Sequence, residues 1–384
     1  MTSQDILPLE NNIEPMQVAE EKVYTASQWQ LMWWRFKKHK IAVVSLIILI
    51  LAYMIAMFAD FVAPHNPARY TASLSYAPPM QVYLFDETED GRIWFRPHVF
   101  GYTSERNTET YALDFVEDPE GKHPIRLFTR GDEYELWGLI STDIHLFGVE
   151  DLDTPLLLLG ADQLGRDLLS RIIYGARVSL SIGLIGVVLS FFLGIFLGGI
   201  SGYYGGIVDM IIQRTIEIIR SIPAIPLWLT LSAALPVDWS LTRRYFAITI
   251  ILSLLGWIGI ARVVRGKFLS LREEEFVLAA KLSGTNEIKI IFIHLVPSFF
   301  SDLIARLTLL IPNMILAETA LSFLGLGLSD PVISWGVLLQ SSQQISIVAL
   351  YPWLMLPALA VIIVVLAFNF VGDGLRDAAD PYTR

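Results

Sequence analysis

Few residues in this 384-residue chain have the type and spacing to do chemistry. Its six histidines stand apart at 39, 65, 98, 123, 145 and 294. None belongs to an H-E-x-x-H metal pair, and no G-x-S-x-G elbow presents a nucleophile. No G-x-x-x-x-G-K-[ST] loop cradles a phosphate. There is no cysteine, which excludes disulfides, thiolate metal sites and cysteine nucleophiles. His145, next to Asp143, reads as a surface residue rather than a ligand. What remains is charge set in apolar surroundings: Arg214, Glu217 and Arg220 at every third position, Asp302 and Arg306 one turn apart, and Glu318 alone. Charge at membrane depth is costly, and it is kept for pairing or for a polar path. The first three can pair along one helical face, and Asp302 with Arg306 at i,i+4. Glu318 suits either a pathway lining or a cap on the loop after it.

The elements that carry these groups read as membrane spans. Hydrophobic residues make up 54% of the chain and charged residues only 17%, against roughly a quarter in soluble domains. Ile41 to Phe58 is an uncharged run long enough to cross a ~30 Å hydrocarbon core. A polar leader precedes it, so it is not a cleavable signal. Five more spans are predicted, at Leu180–Ile200, Ile211–Leu235, Tyr245–Arg262, Leu303–Leu321 and Pro352–Phe370. Pro223 and Pro226 predict a kink in the third span.

Arg35, Lys37, Lys38 and Lys40 precede the first span, with Trp33 and Trp34 beside them. Basic residues mark the cytoplasmic side and Trp the interface, so segment 1–40 is placed inside. Six spans then put both termini, including the tail 371–384, in the cytoplasm of a bacterial or archaeal cell. The loop 263–298 falls inside and carries Arg265, Lys267, Arg272, Lys281 and Lys289. The loop 322–351 falls outside and has no Lys or Arg. Arg243 and Arg244, on an outer loop, are the departure from the rule.

Residues 62–157, after a first span over 41–61, also fall outside. They hold 17 acidic and 7 basic residues, leaving 21 of each elsewhere, so this segment carries the whole net charge of -10. That balance argues against nucleic-acid binding. Val82–Phe85, Ile93–Phe95 and Ile125–Thr129 are strand-like, with turn signals at Asp90-Gly91 and Glu120-Gly121. A small, mostly β, extracytoplasmic insertion is predicted ahead of a five-helix core over 158–370.

The loop after the fourth span is the most informative segment. Glu273, Glu274 and Glu275 suit a helix N-terminus, and Gly284 suits the left-handed position that ends it. Thr285 or Asn286 can cap a second helix running toward Pro297. Phe276, Ala279, Ala280 and Ser283 fall on one face, whose small residues would let another protein sit close. The same pattern also suits a helical hairpin that only joins two spans.

This loop resembles the EAA loop of ABC importer permeases, with Ala279, Ala280 and Gly284 at the family spacing and Leu278 where the name-giving Glu stands. Further matches follow in order. They are Gly160-Ala161-Asp162 through Asp167 with Ser170, Arg171 and Arg177, then Gly202 to Gly206 with Asp209, Arg214, Glu217 and Pro223. Glu318, Leu321 to Gly327, Ser334-Trp335-Gly336, Gly372 to Asp377 and Asp380-Pro381 complete the set. The resemblance is to the dipeptide, oligopeptide and nickel branch, C-type subunit, and covers 160 to 384. Residues 62–157 exceed the length expected there.

The resemblance implies an all-α polytopic fold of six transmembrane helices of the type I importer kind. It implies a transport subunit without an ATPase site or cofactor of its own, ATP being bound by two partner ATPase subunits. It implies coupling to them through Glu274, Phe276, Ala279, Ala280, Ser283 and Gly284. A second, different permease and an extracytoplasmic solute-binding protein complete the expected importer in the lipid bilayer. Peptides are the expected solute, with oligosaccharides or a nickel complex as alternatives. Arg214, Glu217, Arg306 and Glu318 are the candidate pathway or structural polar groups. A secondary transporter would show internal repeats, an intramembrane hydrolase a base within its spans, and an exporter its own ATPase domain; none is evident.

Overall fold

The computed structural model describes residues 27–87, 93–106, 108, 113–151, 154–236 and 238–379. Residues 1–26, the turn at Asp90-Gly91 and the Asp380-Pro381 end lie outside the described residues.

Helix α1 (Gln28–Lys38) starts at a reciprocal cap, in which Ser27 accepts from the Gln30 N–H and Gln30 accepts from the Ser27 N–H. Its Phe36 is buried, while Trp29, Trp33 and Trp34 are exposed. The span α2 (Lys40–Met57) follows, then a single helical turn, Ala59–Val62. Five strands come next: β1 (Tyr83–Glu87), β2 (Ile93–Arg106), β3 (Leu113–Pro124), β4 (Arg126–Leu136) and β5 (Ile140–Gly148). They form an antiparallel β1-β2-β3 sheet and a β4-β5 hairpin. Leu74, Ala77, Met80, Val99, Leu156 and Leu157 make the core beneath them. Glu120-Gly121 does not separate strands. It lies within β3, where the register against β2 jumps from Lys122 to Glu117, so the turn-forming residues are absorbed as a bulge.

The remaining α-helices of six residues or more among the described residues are α3 (Leu168–Tyr204), α4 (Gly206–Ser221), α5 (Ala224–Ala233), α6 (Leu241–Leu271), α7 (Glu275–Leu282), α8 (Phe300–Phe323), α9 (Trp335–Gln340), α10 (Ile345–Leu350) and α11 (Leu356–Ala379). Among the described residues, five helices are long and apolar enough to cross a membrane, or six spans result if α4 and α5 count as one. The kink expected there is a break: α4 and α5 meet at 86°. Pro223 has no N–H to continue the α4 ladder, and it stands at the N-cap of α5. The other spans outrun their apolar cores. α3 has 37 residues and α6 has 31, because each continues past hydrocarbon thickness into polar ends. Likewise residues 371–379 of the tail form the last turns of α11, where Leu375 and Ala378 join the cluster that holds Phe36 of α1.

Small residues set the closest packing. A Cβ on Gly198 would lie 2.7 Å from the Ala261 Cα, and one on Gly202 would lie 2.7 Å from the Arg265 carbonyl. Close approach of α3 and α6 therefore depends on their absence, as between helices in lipid generally. At this end Phe268 is fully buried, a contribution of about 1.5–3 kcal/mol.

Candidate functional site

Helix α7 sits on the end of the bundle where α3 ends and α8 begins. The Ser283 N–H bonds the Ala279 carbonyl at 3.0 Å, that of Gly284 bonds Lys281 at 3.0 Å, and that of Thr285 bonds Ala280 at 3.1 Å. Gly284 has φ +73°. This is the Schellman end, two backbone bonds closed around one left-handed residue. Asn286 then caps the next turn through the Ile288 N–H. Six residues of π-helix, Ile290–Leu295, return the chain to α8.

One side of α7 is anchored. Val277 and Ala280 are buried with Phe268, Ile290 and Leu295. Lys281 stacks its ammonium 5.2 Å over the Tyr203 ring, and the Tyr204 hydroxyl donates to Glu287 at 2.8 Å. Gly205 and Gly206 turn the chain below, and Asp209 receives Arg265 through two bonds of 2.5 Å. The coupling candidates therefore divide. Glu274, Phe276, Ala279, Ser283 and Gly284 are exposed, whereas Ala280 faces inward to the chain's own core. The strip open to solvent adds Leu278 and Leu282, which helical spacing of small residues did not single out.

The polar candidates also separate. Arg214 and Glu217 pair at 2.5 Å on an exposed face, worth about 0–1 kcal/mol. Arg220 has no partner among the described residues. Arg306 bonds Asp302 at 3.3 Å. Glu318 is fully buried and accepts from the hydroxyls of Ser322 at 2.8 Å, Ser334 at 2.7 Å and Ser179 at 3.3 Å. It clasps α8 to α3 and to the loop before α9.

At the opposite end, the Gly160–Asp167 segment is a second clasp. Asp162 accepts from the Leu164 and Arg166 N–H groups and from the Arg166 guanidinium at 2.7 Å. Arg166 also donates to Asp330. The buried Arg171 lies 3.5 Å from Asp162 without hydrogen-bond alignment and donates to the Pro67 carbonyl. His145 is not a surface residue. It is buried, and its ring nitrogens meet the carbonyls of Ala63 at 2.6 Å and Asp132 at 2.9 Å, because the β4-β5 hairpin folds back on the end of α2.

His65 accepts the Leu156 N–H at 2.8 Å, and burial pushes its pKa down from 6.5 to about 4. The unfolded chain therefore takes up the proton first. As pH falls from 6.5 toward 4, His65 withdraws stability of about 3 kcal/mol in total. Asp167, whose pKa burial pushes up from 3.8 to about 6, acts oppositely, since the folded chain keeps its proton more tightly between those values. The unfolding midpoint of the purified assembly is expected to fall with acidification less steeply in His65→Gln than in wild type. Equal slopes would contradict the assignment.

The chain matches known proteins along its length. A family model described as "Binding-protein-dependent transport system inner membrane component" matches residues 190–384. One described as "N-terminal TM domain of oligopeptide transport permease C" matches residues 27–79. The dipeptide transport system permease protein DppC of Lactococcus lactis subsp. cremoris is 34% identical, over 92% of this chain and 91% of its own. The oligopeptide transport system permease protein OppC of Bacillus subtilis is 39% identical, over 59% of this chain and 72% of its own. The B. subtilis DppC is 29% identical over 99% of this chain, so that alignment takes in the β segment as well.

Proposed function

This chain belongs to the binding-protein-dependent transport system inner membrane components, and on that premise we propose that it is a permease subunit of an ATP-driven importer of di- or oligopeptides. The carrying observation is α7, a helix fixed on one side by Val277 and Ala280 and open on the other through Phe276, Leu278, Ala279 and Leu282. That is a lever with a free face, suited to receive a push from an ATPase subunit. It lies at the end of the bundle bearing Arg265, Lys267, Lys281 and Lys289, which the positive-inside rule places in the cytoplasm. Both termini then face inward, and the β segment outward toward a solute-binding protein.

A groove of about 260 Å³ runs between α6 and α8, lined in part by Gly256, Gly259, Arg306 and Asn313. A second cavity, of about 640 Å³ at the α7 end, shares Arg306 and adds Lys267 and Asp302. Polar groups lining two hollows that share Arg306 suit one wall of a translocation path. A second, different permease supplies the other wall. ATP-driven closure of the two ATPase subunits moves both α7 helices and switches access to the path. This chain holds no ATP; its partners do.

Co-expression with a second permease, the ATPase pair and the receptor, followed by reconstitution, tests this. Loaded receptor is expected to stimulate ATP hydrolysis and the uptake of labelled peptide, in preference to oligosaccharide or a nickel complex. Solute transport by the isolated chain along a proton or sodium gradient would overturn it.

A further inference from the structure

We infer that the tip of the β4-β5 hairpin, residues 136–140, is an interfacial anchor that inserts into the bilayer leaflet in which α2 ends. The turn is an improbable one for its sequence. The Leu139 N–H bonds the Leu136 carbonyl at 3.1 Å, with Trp137 at φ +55° and Gly138 at φ +69° between them. Two consecutive positive φ values mark the I′ hairpin turn, whose first central position favours Asn, Asp or Gly. A bulky residue there is strained, and strain of this kind persists where surrounding contacts over-determine it.

Those contacts lead to the membrane. The Trp137 indole donates to the carbonyl of Met57, the last residue of α2, at 3.0 Å. Its ring lies 5.1 Å from Phe58. Further from the tip, Phe128 meets Phe61 and His145 meets the Ala63 carbonyl. Progress from tip to base thus follows the chain from residue 57 to residue 63, away from the span. The tip is the membrane-proximal end.

Its apolar side chains are largely exposed. Trp137 is 48% exposed, Leu139 82% and Ile140 55%. They continue the exposed face of α2, where Met54, Ile55 and Met57 are also exposed. A Trp hydrogen-bonded at the end of a span, with aliphatic residues beside it, has the composition of an interfacial belt. The depth of insertion is limited by the strands themselves. The next cross-strand pair, Glu135 with Ser141, is exposed and polar. Only the turn and the Leu136–Ile140 pair can enter the leaflet. That boundary favours lipid over a protein groove, because it lies level with the end of the span.

The leaflet is the outer one if the proposed orientation holds; the depth does not depend on it. The test uses the full importer in liposomes. This chain has no native cysteine, so Leu139→Cys and Glu133→Cys each carry one polarity-sensitive fluorophore, with unsubstituted complex as the labelling blank. Both positions are exposed, so neither change disturbs packing. The Leu139 probe is expected to emit further to the blue and to be quenched several-fold more by headgroup-level spin-labelled lipid than by aqueous iodide. The Glu133 probe is expected to show the reverse. Equal iodide access at the two positions would overturn the anchor, as would protection of Leu139 that arises only when receptor is added. No ATP or solute is involved, so a failure of the peptide-import reading leaves this result standing. Quenching only by spin label confined to the leaflet on the α7 side would overturn the outer-leaflet assignment.

Discussion

Glu318→Leu is expected to abolish accumulation of folded subunit, while Glu318→Gln retains part of it. The carboxyl is the acceptor for three serine hydroxyls, each of which has a second duty. Ser179 accepts the Trp335 N–H at 3.1 Å, Ser322 that of Leu328 at 3.0 Å, and Ser334 that of Val337 at 3.2 Å. Leucine fills the space but accepts nothing, so three buried O–H groups lose their partner at about 1–3 kcal/mol each. The total rivals the whole stability of an ordinary domain. Glutamine keeps one oxygen for Ser322 and Ser334 and turns an amide toward Ser179, orphaning one hydroxyl at most. Yield and monodispersity of the co-expressed complex measure this. A leucine variant assembling as wild type would show that the clasp is dispensable.

Gly284→Val is expected to remove most ATP-dependent uptake without removing assembly. A Cβ at Gly284 would meet nothing within 4 Å, so any effect comes from the backbone alone. At φ +73° a non-glycine residue pays about 1–2 kcal/mol, and a β-branched one pays more. That is enough to unwind the two bonds that end α7 and to tilt its open face. Asparagine tolerates the left-handed region, so the expected order of uptake per ATP hydrolysed is Gly, Asn, Ala, Val. Equal loss in Asn and Val would point to a side-chain clash with a partner instead. Unimpaired coupling in Val would remove α7 from the mechanism.

Gly284 illustrates what sequence makes legible. Glutamates, then small and apolar residues, then glycine, then a capping asparagine are local signals read within a dozen residues, and the helix, its end and its restart all follow them. The spans were legible for the same reason, since an apolar run must satisfy its own backbone bonds by forming a helix. The side of α7 on which Ala280 falls was not. The spacing groups it with Phe276 and Ala279, but Phe268 of α6 and Leu295 of the return decide that it turns inward.

The sequence by itself determined the membrane class, the number and order of apolar runs, the β character of the insertion and the left-handed stop at Gly284. Each rests on composition or on interactions within a few residues along the chain. The tertiary structure decided which polar groups find buried partners and where the ends of each helix lie. Arg166 finds Asp330 164 residues away, Ser179 finds Glu318 139 residues away, and Trp137 finds Met57 80 residues away. No local pattern encodes such partners. A buried polar group must still be satisfied, and the fold supplies whichever donor or acceptor it brings within about 3 Å.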